Sequence, residues 1–166
     1  MSLATIMLDQ LAVARRIVED GHEVVPAWRI ATPDEGSYLI LTPFDADNRE
    51  QHERALLLTS RFMAWKMATS FVLTVETWLG PEVTRSGDEA LLVIGVSHHE
   101  RLAAMQRLRR ADVGIFADVE WLTPDQVDDA YFRLLPVGRS EITAEEAMEL
   151  VRTFGEGREM AAERLD

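Results

Sequence analysis

The stretch SHHERLAAMQRLRR, residues 97–110, admits two readings, and the choice between them decides how many strands the chain has. As a helix, Ser97 and Glu100 have capping-box spacing, and Leu102, Met105 and Leu108 recur at helical intervals. As a strand, Leu102, Ala104 and Leu108 share one face with Gln106, while Ala103 and Met105 share the other with Arg101, Arg107 and Arg109. Neither face is cleanly apolar, so periodicity alone leaves both readings open.

The segments on either side are less ambiguous. Upstream, SFVLTVETW (70–78) alternates, with Phe71, Leu73, Val75 and Thr77 on one face and Val72, Thr74, Glu76 and Trp78 on the other. ALLVIGV (90–96) is apolar at nearly every position, which predicts a strand buried on both faces. Downstream, GIFADVEWL (114–122) predicts a short strand, with Gly114 in the turn before it. Earlier in the chain, EVVPAWRI and SYLILTPF flank TPDEG, so a hairpin is expected in which Gly36 supplies a positive φ and Pro26 marks an edge strand.

Helices are expected in four places. Leu3, Ile6, Met7, Leu11, Ala14, Ile17 and Val18 form a stripe closed by Gly21. Asp47 and Glu50 form a capping signature ahead of a long breaker-free run from Asn48 to Ala68, whose second half is apolar on most faces. TPDQVDDAYFRLLP (123–136) predicts a short helix with proline at its first position. Thr143 and Glu146 cap a last amphipathic helix, AEEAMELVRTF, closed by Gly155. Residues 1–155 are therefore expected to form one α+β domain, followed by a charged tail, 156–166. The sheet is mostly antiparallel with five or six strands, the long central helix packs on one face, and the terminal helices flank it.

The order of long helix, strand ending Glu76-Thr77-Trp78, polar loop, ALLVIGV, RLAAMQRLRR and VEWL is similar to a loose group of small uncharacterised bacterial and phage proteins, over roughly residues 48 to 122. The resemblance implies a strand for RLAAMQRLRR, the middle of a meander. It implies no activity.

Composition narrows the function. A chain of 166 residues with 47% hydrophobic content can bury a full core as one domain. No apolar run approaches the roughly 18 residues of a membrane span, so no membrane partner is expected. The first arginines, Arg15 and Arg16, follow the first apolar residues, so no export leader is expected, and zero cysteines suit a reducing cytoplasm. A net charge of -12 repels a phosphate backbone, and the basic strip Arg101, Arg107, Arg109 and Arg110 lacks interleaved aromatics, so no nucleic-acid partner is expected.

The ionisable residues offer candidates for chemistry. His98 and His99 are neighbours, so in a strand they point to opposite faces and do not share a metal; His22 and His52 have no ligand spacing with them. Glu76 and Glu120 stand beside Trp78 and Trp121 on expected strands, and a general-acid role would require those strands to be adjacent. Four tryptophans, Trp28, Trp65, Trp78 and Trp121, suit a core or an interface. No phosphate loop, dinucleotide fingerprint or nucleophile elbow is present, and no cofactor or metal is expected. The leading expectation is a non-catalytic interaction or adaptor protein that forms a homodimer. The alternative is a small-ligand-binding protein or hydrolase using Glu76, Glu120, His98 and His99.

Overall fold

A computed structural model describes residues 1–34, 36–42, 48–78, 89–108, 116–136, 142–154 and 161–165. Its elements in chain order are α1 (Leu3–Glu19), β1 (Ala27–Ala31), β2 (Ser37–Leu41), α2 (Arg49–Trp65), β3 (Ser70–Trp78), β4 (Glu89–Ser97), β5 (Arg101–Leu108) and β6 (Glu120–Leu122). A 3-10 turn (Pro124–Gln126), α3 (Asp129–Phe132), α4 (Ala144–Phe154) and β7 (Ala161–Leu165) complete them.

Among the described residues seven strands form one antiparallel sheet in the order β6-β5-β4-β3-β1-β2-β7. The architecture is the expected α+β domain, with one strand more than the upper expectation. Residues 161–165 of the expected charged tail supply it, pairing with β2 from Leu165 opposite Ser37 to Ala161 opposite Leu41. The strand forms because backbone pairing along β2 does not depend on side-chain polarity.

Two cores divide the sheet. On one face Trp28, Ile30, Ile40, Phe71, Leu73, Ile94 and Val96 pack against Ala55, Leu58, Phe62 and Met63 of α2, with Phe132, Leu135 and Leu150 closing the layer. On the other face Val72, Leu91, Val93, Ala104 and Leu108 pack under Leu3, Met7, Leu11 and Ala14 of α1. The contact with α1 is close: a Cβ on Gly95 would stand 2.6 Å from Met7 Sδ and 3.0 Å from Leu3 Cγ. Burial on both faces explains why β4 reads as an unbroken apolar run.

Several local expectations change. Pro26 precedes β1 rather than interrupting it, and β1 lies inside the sheet between β3 and β2; the proline carbonyl accepts a hydrogen bond from Thr42 N–H at 3.0 Å. Gly36 does not have a positive φ. Its constraint is space, because a Cβ there would meet Asp34 Oδ1 at 3.0 Å and Thr32 Oγ1 at 3.1 Å. The central helix is capped by Asn48, whose side chain accepts from Gln51 N–H at 3.0 Å; Asp47 lies outside the described residues. The stretch 123–136 divides into the 3-10 turn and the single-turn α3 instead of one helix, and of the described part of the expected strand, 116–122, β6 is the regular portion. Gly114 lies outside the described residues.

The apolar second half of α2 is largely covered from within the chain. Ser60 Oγ donates to the Leu134 carbonyl at 2.8 Å, and Arg61 lies 3.8 Å from Glu146 and 3.4 Å from Glu149 of α4. Leu57 and Met67 are the large apolar side chains of this region that stay more than half exposed, at 51% and 56%.

Candidate functional site

The stretch 97–110 folds as a tight turn followed by β5. The serine-glutamate spacing that suggests a helix cap serves the turn instead. Ser97 Oγ accepts from His99 N–H at 3.2 Å and Glu100 N–H at 3.0 Å, and Ser97 N–H donates to the Glu100 carbonyl at 2.9 Å. The two histidines form the corner between β4 and β5 without positive φ, so the serine hydroxyl satisfies donors that a glycine-rich turn would arrange differently.

A cleft of about 440 Å³ opens between this turn and the segment after α3. Val96, Phe132 and Leu135 are buried and line it, while His98, His99 and Arg101 stand exposed at its rim. Arg101 Nη1 lies 3.9 Å from Asp129, and its guanidinium sits 5.9 Å from the centre of the Phe132 ring. Beside it in α3, burial and then the Asp128 carboxylate hold the Tyr131 phenol above its ordinary value, so it is neutral near pH 7.

The other candidates stand elsewhere. Glu76 accepts from Val24 N–H at 3.4 Å, and Glu120 pairs with Arg107 at 3.4 Å. β6 is three strands from β3, so the two carboxylates are separated by roughly 14 Å of sheet. Glu76 opposes Leu91 while Ser70 opposes Ser97, so Glu76 is about 20 Å along the strand from the histidine turn. The adjacency that paired-carboxylate chemistry requires is not met. Among the described residues no group of three or more His, Asp and Glu side chains is placed to hold a metal ion. Two members of the basic strip, Arg101 and Arg107, face acidic neighbours, and Arg109 and Arg110 lie outside the described residues.

A surface not singled out from the sequence lies at the other end of the sheet. α1 packs over β3 and β4, and among the described residues no helix covers the same face of β1, β2 and β7. Trp28, Ile30, Tyr38 and Ile40 point toward α2, so alternation turns Ala27, Arg29, Ala31, Ser37, Leu39 and Leu41 to the opposite face. Leu165 and Glu163 join them through their pairing with Ser37 and Leu39. Leu41 is exposed, and Ala27, Arg29, Ala31, Leu39 and Leu165 are half-buried. The signal was present in AWRIA and SYLIL, whose alternation leaves a second face of small and branched apolar residues around one arginine.

No family model matches this chain, and neither does a curated protein or a solved structure.

Proposed function

We propose that this chain is a non-catalytic interaction protein that works as a homodimer and docks through the open face of β1, β2 and β7. The half-covered sheet carries the reading. A contiguous face holding Ala27, Ala31, Leu39, Leu41 and Leu165 loses apolar area to water unless another surface covers it. The scattering of Glu76, Glu120 and the histidine turn over three sites supports the same reading, because acid-base chemistry needs its groups within hydrogen-bond reach of one substrate. Paired arginines and a net charge of -12 favour a protein surface over nucleic acid as the occupant. No helix among the described residues is long and apolar enough to cross a membrane, and a chain without cysteine suits a cytoplasmic setting. Sedimentation equilibrium at tens of micromolar is expected to give twice 18.8 kDa. A clean 18.8 kDa species at that concentration counts against the proposal.

A second reading is a small-ligand site, supported by the cleft of about 440 Å³ beside Phe132 and Leu135, a volume within the usual range for ligand pockets. An aromatic carboxylate such as 1-naphthoate would lay its ring on that floor and its charge against Arg101. Saturable shifts of the Phe132 and Leu135 NMR signals on titration would support this reading, and unmoved signals at millimolar probe would end it.

A further inference from the structure

Resting on the interaction reading, we infer that the open face is occupied by a second copy of this chain, packed sheet to sheet about a two-fold axis that runs along β2 over Leu39. The register makes this face self-complementary. Arg29 opposes Leu39, and Leu39 opposes Glu163, so a cation, an apolar residue and an anion form one row across β1, β2 and β7. The two charges are two strand spacings apart, about 10 Å, with the leucine midway. Among the described residues neither Arg29 nor Glu163 has an ion-pair partner. Ala27 and Leu41 lie on one side of that row, and Ala31, Ser37 and Leu165 lie on the other.

A two-fold rotation about an axis parallel to β2, in the plane between the two faces, exchanges the β1 and β7 sides. It sets Arg29 of each copy over Glu163 of the other and stacks Leu39 on Leu39 and Leu41 on Leu41. Both ion pairs form at once, and the apolar residues meet in the centre, as an isologous interface requires. The face contributes one positive and one negative residue, so it is locally balanced although the whole chain carries -12. Face-to-face packing of two sheets with nearly aligned strands is a common arrangement with an interior about 10 Å thick, enough for leucine side chains from both sides.

The test uses the full chain and four samples in sedimentation velocity: wild type, Arg29→Glu, Glu163→Arg, and an equimolar mixture of the two variants. Each variant alone sets like charges opposite one another at both ends of the row, so its self-association is expected to weaken about tenfold or more. In the mixture every pair is again opposite in sign, so a heterodimer is expected with an affinity within about threefold of wild type. Recovery in the mixture also shows that both variants fold. A wild-type dimer unchanged by either substitution and by Leu39→Asp would overturn this inference while leaving the interaction reading, because the chain would then pair through another surface. Weakened variants that do not recover on mixing would overturn the two-fold register. A monomeric wild type would overturn the interaction reading itself.

Discussion

The sheet has two halves built from similar β-branched and aromatic runs but covered differently. Across β3 and β4, α1 lies on one face and α2 on the other, so Val72, Leu91 and Val93 are buried as completely as Phe71, Leu73 and Ile94. Across β1, β2 and β7, Trp28, Ile30 and Ile40 are buried toward α2, while Arg29, Leu39 and Leu41 face away from it. Cover on both faces allows a strand to be apolar throughout, as in EALLVIGVS, whereas cover on one face leaves the alternation seen in AWRIA. Substitutions will therefore be felt everywhere along the first half, and on one face only of the second.

The largest effect is expected at Phe62, which is buried in the layer that spans both halves and meets Tyr38 and Trp65 edge-on at 5.3 and 6.0 Å. Phe62→Ala removes these ring contacts and leaves a cavity, so urea unfolding is expected to show a loss of about 3–5 kcal/mol. An unchanged midpoint would remove α2 from the core. Next comes the pair that separates the halves directly. Gly95→Ala pushes a methyl group into Met7 and Leu3, and is expected to cost about 1–3 kcal/mol as α1 shifts off β4. Leu39→Ser, on the open face, is expected to change monomer stability by no more than about 0.5 kcal/mol, measured below the dimer's dissociation constant. Equal losses at the two positions would show that both halves are covered.

Most of the fold was legible because periodicity reports which faces are buried. The α1 stripe, the unbroken β4 run and the alternation of β3 each pointed to their layer. The β5 stretch was not legible from its own residues, because Ser97 and Glu100 offer the same atoms to a helix cap and to a tight turn, and only pairing with β4 decides. β7 was hidden for a similar reason: AAERL has little apolar signal, and its partner β2 lies 120 residues or more away in sequence. The candidate site was less legible than the fold. Glu76 and Glu120 lie on strands, as the runs around them indicate, but strand order, a long-range property, separates them. The cleft beside His98 and His99 depends on Phe132 and Leu135 arriving from a distant segment.

The two helices that cover the sheet end in the same motif, with different residues at its strained position. After α1, Gly21 has φ 81°, its N–H donates to Val18, and His22 N–H donates to Ile17. After α2, Met67 has φ 53°, its N–H donates to Ala64, and Ala68 N–H donates to Met63. Both are Schellman caps, and an L side chain in the left-handed region costs roughly 1 kcal/mol that glycine avoids. Met67→Gly is therefore expected to raise stability by up to about 1 kcal/mol, and Gly21→Ala to lower it by a similar amount. A destabilising Met67→Gly would mean that the exposed methionine makes contacts worth more than its backbone strain.

The smallest effect concerns how β7 is fastened to the open half. Asp34, in the turn between β1 and β2, accepts from the Thr32 hydroxyl and from Gly36 N–H at 3.2 Å, and its other oxygen lies 3.2 Å from Arg164 Nη2 of β7. The Thr32 hydroxyl first, then the Gly36 amide, and the Arg164 charge besides, hold the carboxyl below its ordinary value. A depressed carboxylate stabilises the folded chain above its unfolded pKa, about 3.9, and that contribution fades as pH falls through the lower folded value. Asp34→Asn should lower the melting temperature slightly at pH 6, where the wild-type carboxylate contributes, and leave it unchanged near pH 3, so the acid side of the profile flattens; the effect is small because the pair with Arg164 is exposed and screened. Exchange of the β7 amides should quicken in the same variant while those of β3 and β4 stay protected. If β7 exchanges no faster, its attachment comes from pairing with β2 alone, and the open half is held by its backbone rather than by this cluster.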